Sequence, residues 1–299
     1  MKPAIAIALA LLVAVGLSRP ALAQSAPYAN PQFAAALSAA LRSFYTRDFA
    51  AALAKFQACL AIDPGEPLAL AFENATLLHI DPLRLQALAA KEEADAARAP
   101  RNALAQTRLG FTDLFLAQSD SSRADDARAA LDEAIAVDPQ AVAAHVGLGI
   151  YRYGLDERSR AKAELLAALA ADPHDVLARE YLSSIYQKDL QDPNRALDYL
   201  IDVPNVVPQY ADAFYHLGSI FDDLGQYDAA VRYLRTAIDM DSGHVGEAGQ
   251  DGLPLLGRIY LKIHHVEDAK RAFAEAVVFG EEPEFSQSQL DKIKRGLIK

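Results

Sequence analysis

Ala127, Ala161, Ala196 and Ala230 stand 34, 35 and 34 residues apart, and the breaks that follow them, Pro139, Pro173, Pro208 and Ser242, keep the same intervals. Leu148-Gly149, Leu182-Ser183 and Leu217-Gly218 form a third marker, at 34 and 35. Three markers holding one register require a repeated structural unit, each copy unable to bury its apolar face alone, so that stacking supplies the core.

The unit is best read in residues 211–243. Phe214, Leu217, Phe221 and Leu224 recur at three- and four-residue steps; Gly225 makes a turn, and Tyr227, Ala230, Leu234, Ala237 and Ile238 resume those steps. This spacing predicts two amphipathic helices joined as a hairpin. Gly218 and Ala230 are expected to face each other, with Leu217, Phe221 and Leu234 filling the space around them. Alanine is the commonest apolar residue in a chain that is 52% hydrophobic, which favours an all-α protein.

Upstream, residues 31–45 predict a first helix with Leu37, Leu41 and Phe44 as its larger contacts, and Ala52, Phe56, Cys59 and Leu60 a second, stopped at Asp63-Pro64. Cys59, the only cysteine, occupies the place of Ala237 and is expected as a small core residue; no intramolecular disulfide is possible. Residues 67–107 are degenerate, with blurred spacing of small residues. Asn74-Ala75-Thr76 is expected to be an incidental match to a glycosylation acceptor in a helix, and His79 a capping or packing residue. Leu109-Gly110 resembles Leu217-Gly218 but sits five residues too early relative to Ala127, which a local insertion at residues 119–125 would explain. After Ser242 a glycine-bearing join with roughly five extra residues leads to a hairpin carried by Leu253, Leu256-Gly257, Tyr260, Ala269, Phe273 and Ala276. Residues 284–299 are expected to form a capping helix with Ser286 as N-cap and Leu290, Ile293 and Leu297 on its apolar side.

At the N-terminus, Lys2, an apolar run over residues 4–17 and Ala21-Leu22-Ala23 make a secretory signal peptide cut after Ala23. The run is shorter than the roughly 20 residues a membrane span needs, so no membrane insertion is expected after cleavage. Residues 24–32 form a flexible leader, and the mature chain is expected in the periplasm or secreted. Losing residues 1–23, which hold Lys2 and Arg19 and no acid, takes the formal charge from −11 to −13. Nucleic acid and anionic membrane surfaces repel such a chain.

Leu217-Gly218, Phe221, Gly225, Tyr227, Ala230, Ala237 and Asp241-Ser242 resemble the tetratricopeptide repeat, and Leu256-Gly257, Tyr260, Ala269, Phe273 and Ala276 are similar to it as well. The resemblance extends over residues 33–283, about seven helix pairs, and departs from the family in lacking Trp and in placing Arg152 where an aromatic is usual and Ser242 for proline. It implies a right-handed superhelical solenoid of antiparallel helix pairs whose first helices line a concave groove. By the same resemblance that groove would present Leu37, Leu41 and Tyr45, then Val146, Ile150 and Tyr153, then Glu180, Ser184 and Gln187, then Asp212, Tyr215, Ser219 and Asp222, and finally Arg258 and Lys262. The surface would begin apolar, become acidic with tyrosines, and end basic. Tyr153, Glu180, Asp212, Tyr215, Ser219, Asp222 and Arg258 are the candidate partner-binding residues. The Lys and Asn pair with which chaperone-binding members clamp a terminal carboxylate is missing, and an extended segment with apolar and basic residues suits the surface better.

Spacing supplies no nucleophile with its base, no glycine-rich phosphate loop, no His-Glu-x-x-His and no Gly-x-Ser-x-Gly, so no catalytic residue, metal or cofactor is expected. His264-His265-Val266-Glu267 comes nearest to a ligand cluster but falls in the turn of the last hairpin. Three functions fit: a non-catalytic periplasmic scaffold binding another protein or extended peptide, an accessory subunit of cell-envelope polysaccharide or protein export, and a small-ligand binder or enzyme frame.

Overall fold

The computed structural model describes Tyr28 and residues 30–298. The expected signal peptide and most of the leader lie outside the described residues. Seven helix pairs follow one another: α1 (Pro31–Tyr45) with α2 (Phe49–Ile62), α3 (Pro67–Ile80) with α4 (Pro82–Arg98), α5 (Ala103–Leu116) with α6 (Arg123–Val137), and α7 (Val142–Gly154) with α8 (Arg158–Ala171). In the fifth pair α9 (Val176–Ser184) runs through a π-helical turn, Ile185–Asp189, before α10 (Pro193–Leu200) and the short α11 (Val203–Val206). Next come α12 (Ala211–Asp223) with α13 (Tyr227–Met240), α14 (Glu247–Lys262) with α15 (Val266–Phe279), and a final α16 (Pro283–Lys294). No strand occurs among the described residues. The architecture is an all-α helical solenoid.

Local chemistry sets the helix limits. Asn30, Asp48, Glu66, Asp81, Asn102, Asp175 and Asp192 each cap the helix they precede through a side-chain oxygen. The Asp-Pro stops are alike: Asp63, Asp138 and Asp172 have φ/ψ of −131/97, −132/98 and −129/100. Proline excludes the helical conformation from the residue before it. Each of these aspartates then accepts the backbone N–H two residues on, from Gly65, Gln140 and His174. Within several pairs the turn passes through one left-handed residue, and Gly225 is the only glycine among Arg47 (φ 61), Asp156 (62), Gln191 (49), Gly225 (70) and His264 (60).

Packing inside a pair differs from expectation in one detail. Gly218 faces Leu234 rather than Ala230: a Cβ on Gly218 would lie 2.5 Å from Leu234 Cγ. Gly110, Gly149 and Gly257 meet Leu131, Leu165 and Phe273 in the same way. Gly110 is therefore in register, and the extra residues lie in the longer connection from Leu116 to Arg123. In the fifth pair the small residue is Ser183, whose hydroxyl donates to Ala196 O at 2.9 Å.

The degenerate pair owes its blurred pattern to a polar cluster set within its apolar interior. Arg108 bridges Glu73 (3.3 Å) and Glu92 (3.1 Å), and the Thr112 hydroxyl lies 2.5 Å from Glu92 Oε2 and 3.1 Å from Asn74 Oδ1. Asn74 and Thr76 are buried, which removes residues 74–76 from glycosylation. Cys59 is buried, and burial pushes its thiol up to about 12. At the other end the extra residues both extend a helix and build a loop. α14 has 16 residues against 13 in α12, and Asp241 accepts the backbone N–H groups of Val245, Gly246 and Gly249.

Two terminal expectations are corrected. α16 begins at Pro283, so Ser286 lies inside its first turn, fully buried, and bonds Glu281 O at 3.3 Å instead of capping. Leu290 is buried but Leu297 is 70% exposed, because the helix has already ended.

The solenoid also closes on itself. Tyr45 Oη donates to Asp212 Oδ2 at 3.0 Å, Gly243 N donates to Tyr45 O at 2.7 Å, and the Phe72 and Tyr210 rings meet edge to face at 5.8 Å. Ala34, Ala35 and Ser38 of α1 share a small cavity with Asn205, Val206 and Pro208, and α3 touches α7 and α9. The first pair thus packs against the fifth and sixth.

Candidate functional site in the closed groove

Closure turns the concave face into a cavity of about 640 Å³, a volume typical of ligand and segment sites. First helices supply nearly all its wall: Phe44 of α1, Phe72 and His79 of α3, Phe115 of α5, Tyr153 of α7, Glu180 and Tyr181 of α9, Asp212 and His216 of α12, Glu247 and Gln250 of α14. Gln118 and Lys188 stand exposed at the rim.

The wall divides into two chemistries. One part is aromatic: His79 stacks on Phe49 at 4.7 Å, Phe44 and Phe72 pack edge to face at 4.9 Å, and Tyr153 and Tyr181 do so at 5.4 Å. Burial, and the nearby Arg47, hold the His79 imidazole below its ordinary pKa.

The other part is acidic. Tyr210 Oη donates to Glu180 Oε2, and His216 Nε2 lies 3.2 Å from Glu180 Oε1 and 3.5 Å from Glu247 Oε2. Asp212 accepts Tyr45 Oη and, at 2.9 Å, the backbone N–H of Glu247 at the start of α14. Burial, reinforced by the charges of Glu180 and Glu247, raises the Asp212 carboxyl to about 7. Burial opposes the imidazolium of His216, but its bond to Glu180 and the charges of Glu247 and Glu180 outweigh that, and its pKa is raised. Burial is the main reason why the Tyr45 and Tyr210 phenols also sit well above their ordinary range.

Three of the seven candidate residues, Tyr153, Glu180 and Asp212, meet in this cavity. The other four lie outside it, because residues 212 and 216 are the helical neighbours of α12 that face inward. Tyr215 is half-buried beside His216, at 5.4 Å between rings. Ser219 accepts Gln187 Nε2 at 2.8 Å, Asp222 pairs with Lys262 at 2.7 Å, and Arg258 pairs with Glu282 at 3.0 Å over the Phe285 ring. The Ser219 and Asp222 contacts join neighbouring pairs, and the Arg258 contact ties α14 to the start of α16. The apolar part of the groove is made by other residues than expected: Leu37, Leu41 and Val146 are buried and Tyr45 is spent on closure, while Ile150 lines the cavity together with Phe44, Phe72 and Leu78. His216, Tyr181, Tyr210, Glu247 and Lys188 escaped sequence reasoning; the i, i+4 spacing of Asp212 and His216 was the one available signal.

Among the described residues no group of three or more His, Cys, Asp or Glu side chains is placed to hold a metal ion, and no helix is long and apolar enough to cross a membrane. His264 is held at the left-handed turn position, and His265 pairs with Asp268 at 3.5 Å.

Two models described as tetratricopeptide repeat match the chain, over residues 112–153 and 211–244. The chain carries tetratricopeptide repeats. The second match covers α12 and α13, and the first runs from α5 through α6 to α7. Among solved structures this repeat protein is similar to YrrB, a tetratricopeptide repeat protein with an unusual peptide-binding site. The two are 20% identical over 66% of this chain and 96% of that one, with a TM-score of 0.51. It is also similar to TTC0263, a thermophilic tetratricopeptide repeat protein of Thermus thermophilus, at 21% identity over 69% and 99% of the two chains and a TM-score of 0.43. At 20% identity the likeness to YrrB is one of fold. No curated protein matches the repeat protein in sequence.

Proposed function

We propose that this repeat protein is a non-catalytic interaction scaffold that holds a short segment of a partner protein in its closed groove. Tetratricopeptide repeat proteins bind other proteins or peptides, and YrrB has a peptide-binding site on a similar fold. The supporting observation is the cavity itself, walled by the first helices of successive pairs from α1 to α14. Closure between Tyr45 and Asp212 shortens the groove, so a chain end or a tight turn suits it better than a long extended strand. The proposal includes export: Lys2, the apolar run over residues 4–17 and Ala21-Leu22-Ala23 support a chain cut after Ala23 and working in the periplasm or secreted.

Photo-crosslinking amino acids placed at Gln118, on the cavity rim, and at Lys270, on α15, which contributes nothing to the lining, test the binding site. The expected result is one partner protein captured from Gln118 and not from Lys270, in the envelope fraction. Capture from Lys270 alone would move the interface to the outer face and overturn the groove. Intact-mass measurement of the exported protein should show Gln24 as its first residue.

A further inference from the structure

The acidic part of the cavity is short of positive charge. Glu180, Asp212 and Glu247 all line it, and the donors that satisfy them inside the protein, Tyr45, Tyr210 and the Glu247 backbone N–H, are neutral. They fill lone pairs without balancing charge. Only His216 can carry a compensating charge among them, and it is shared between Glu180 and Glu247. Lys188 stands at the rim, exposed, with no ion pair among the described residues. Glu180 is buried and Asp212 partly so, while Glu247 stands half-exposed at the edge of the cavity. A buried carboxylate without a counter-charge is costly, and an incoming cation relieves that cost.

The aromatic wall has a matching property. Tyr153 and Tyr181 face the same cavity, and among the described residues neither hydroxyl has a hydrogen-bond partner. Aromatic faces attract cations once water is excluded. The Arg158 guanidinium already lies 4.0 Å from the Tyr153 ring centre, so of the two rings Tyr181 is the one that carries no cation among the described residues. A cavity combining free phenols, ring faces and undercompensated carboxylates is chemically suited to an alkyl chain ending in an ammonium.

We infer that the closed groove recognises an alkylammonium group, either a lysine side chain or amino terminus on a bound protein segment or a free diamine, seated between the Tyr153–Tyr181 pair and the carboxylates of Glu180, Asp212 and Glu247. This rests on the groove being the binding site. Lys188 decides the sign. For a cationic ligand it is a repelling neighbour whose removal strengthens binding; for an anionic ligand it is an attractive one whose removal weakens it.

Isothermal titration of the purified protein with 1,5-diaminopentane, with a short lysine-containing peptide and with glutarate, a dianion of the same length as the diamine, tests the inference. The amines are expected to bind saturably and glutarate not to bind. Lys188→Ala should tighten amine binding at least threefold, a gain that loss of folding cannot imitate. Glu247→Gln, at a residue half-exposed in the folded protein, should weaken it at least tenfold. Perturbation of the His216 imidazole resonances of the unmodified protein by the diamine places the ligand independently of any variant. A tighter lysine peptide identifies the source as a partner protein, a tighter diamine as a free amine, and both uphold the class. Binding of glutarate in preference to the amines, or weaker amine binding by Lys188→Ala, overturns it. If Gln118 captures a partner while no amine binds, the groove stands and the cation falls; if Gln118 captures nothing and no amine binds, both fall.

Discussion

Tyr45 and Asp212, 167 residues apart in the chain, hydrogen-bond at 3.0 Å and tie the first helix pair to the sixth. In a solenoid, repeats otherwise contact only their neighbours, and stability is a sum over adjacent units. This tie makes distant units depend on each other. Tyr45→Phe removes the donor and leaves the Asp212 carboxylate with the Glu247 N–H alone. Above the raised Asp212 value of about 7, where this carboxyl is ionised, we expect a loss of about 1.5 kcal/mol in denaturant unfolding, the range for hydrogen bonds to charged groups. Amide exchange should also accelerate at Gly243, whose N–H donates to Tyr45 O. Acceleration confined to α1 and α2 would show that the closure contributes nothing to the far side.

Gly218→Ala puts a methyl group 2.5 Å from Leu234 Cγ and 3.2 Å from Leu234 N. Overpacking of this kind costs about 1–3 kcal/mol. Leu234→Ala alone should cost about 2–5 kcal/mol through the cavity it opens. Because the two changes share one space, the double variant should be less destabilised than the sum of the singles, as read by a double-mutant cycle of melting curves. Strict additivity would mean that the helices separate independently of this contact.

His264 adopts φ 60 where the corresponding turn of the preceding pair has Gly225. A residue with a Cβ is strained in that conformation, and glycine is not. His264→Gly is expected to stabilise the protein by about 1 kcal/mol, measured by equilibrium unfolding, and to leave the cavity untouched. A destabilised variant would point to a contact of the imidazole that outweighs the backbone term.

Stability should fall as pH rises from about 5 to 8. Burial raises the carboxyls of Asp212, Glu66 and Glu281 to about 7 and of Asp175 to about 8, and the His216 imidazole is raised by its carboxylate partners despite burial. In that window the folded protein therefore holds more protons than the unfolded chain, and each extra proton is worth about 1.4 kcal/mol per pH unit. For each acid the contribution is complete below its unfolded pKa and gone above the folded value. His79, lowered by burial, works in the opposite direction but is a single group. Thermal melts across pH 5–8.5 should show this decline, with a shallower slope for Asp212→Asn, which keeps an acceptor for Tyr45. A melting temperature that climbs with pH would contradict the protonated state of these carboxyls.

The helix pairs were legible in the sequence because their determinants are local. The 34- and 35-residue intervals, the Asp-Pro stops with their nearly identical dihedrals and the glycine opposite a large residue of the second helix all act within one unit. Residues 67–107 were harder, since Glu73, Asn74 and Glu92 take buried positions beside Leu77, Leu85 and Ala89 and, paired with Arg108 and Thr112, interrupt the apolar period. Tertiary structure alone decided where the groove lies. Each unit adds a small rotation to the last, and their accumulation over five units brings Tyr45 to Asp212. In the assembled solenoid Leu37 and Leu41 are buried, Asp212 and His216 face the cavity together, and Tyr215, Ser219, Asp222 and Arg258 lie outside it, Ser219 and Asp222 joining neighbouring pairs. No residue pattern within one repeat encodes a sum of rotations over many, so the partners across the groove could be found only in the assembled solenoid.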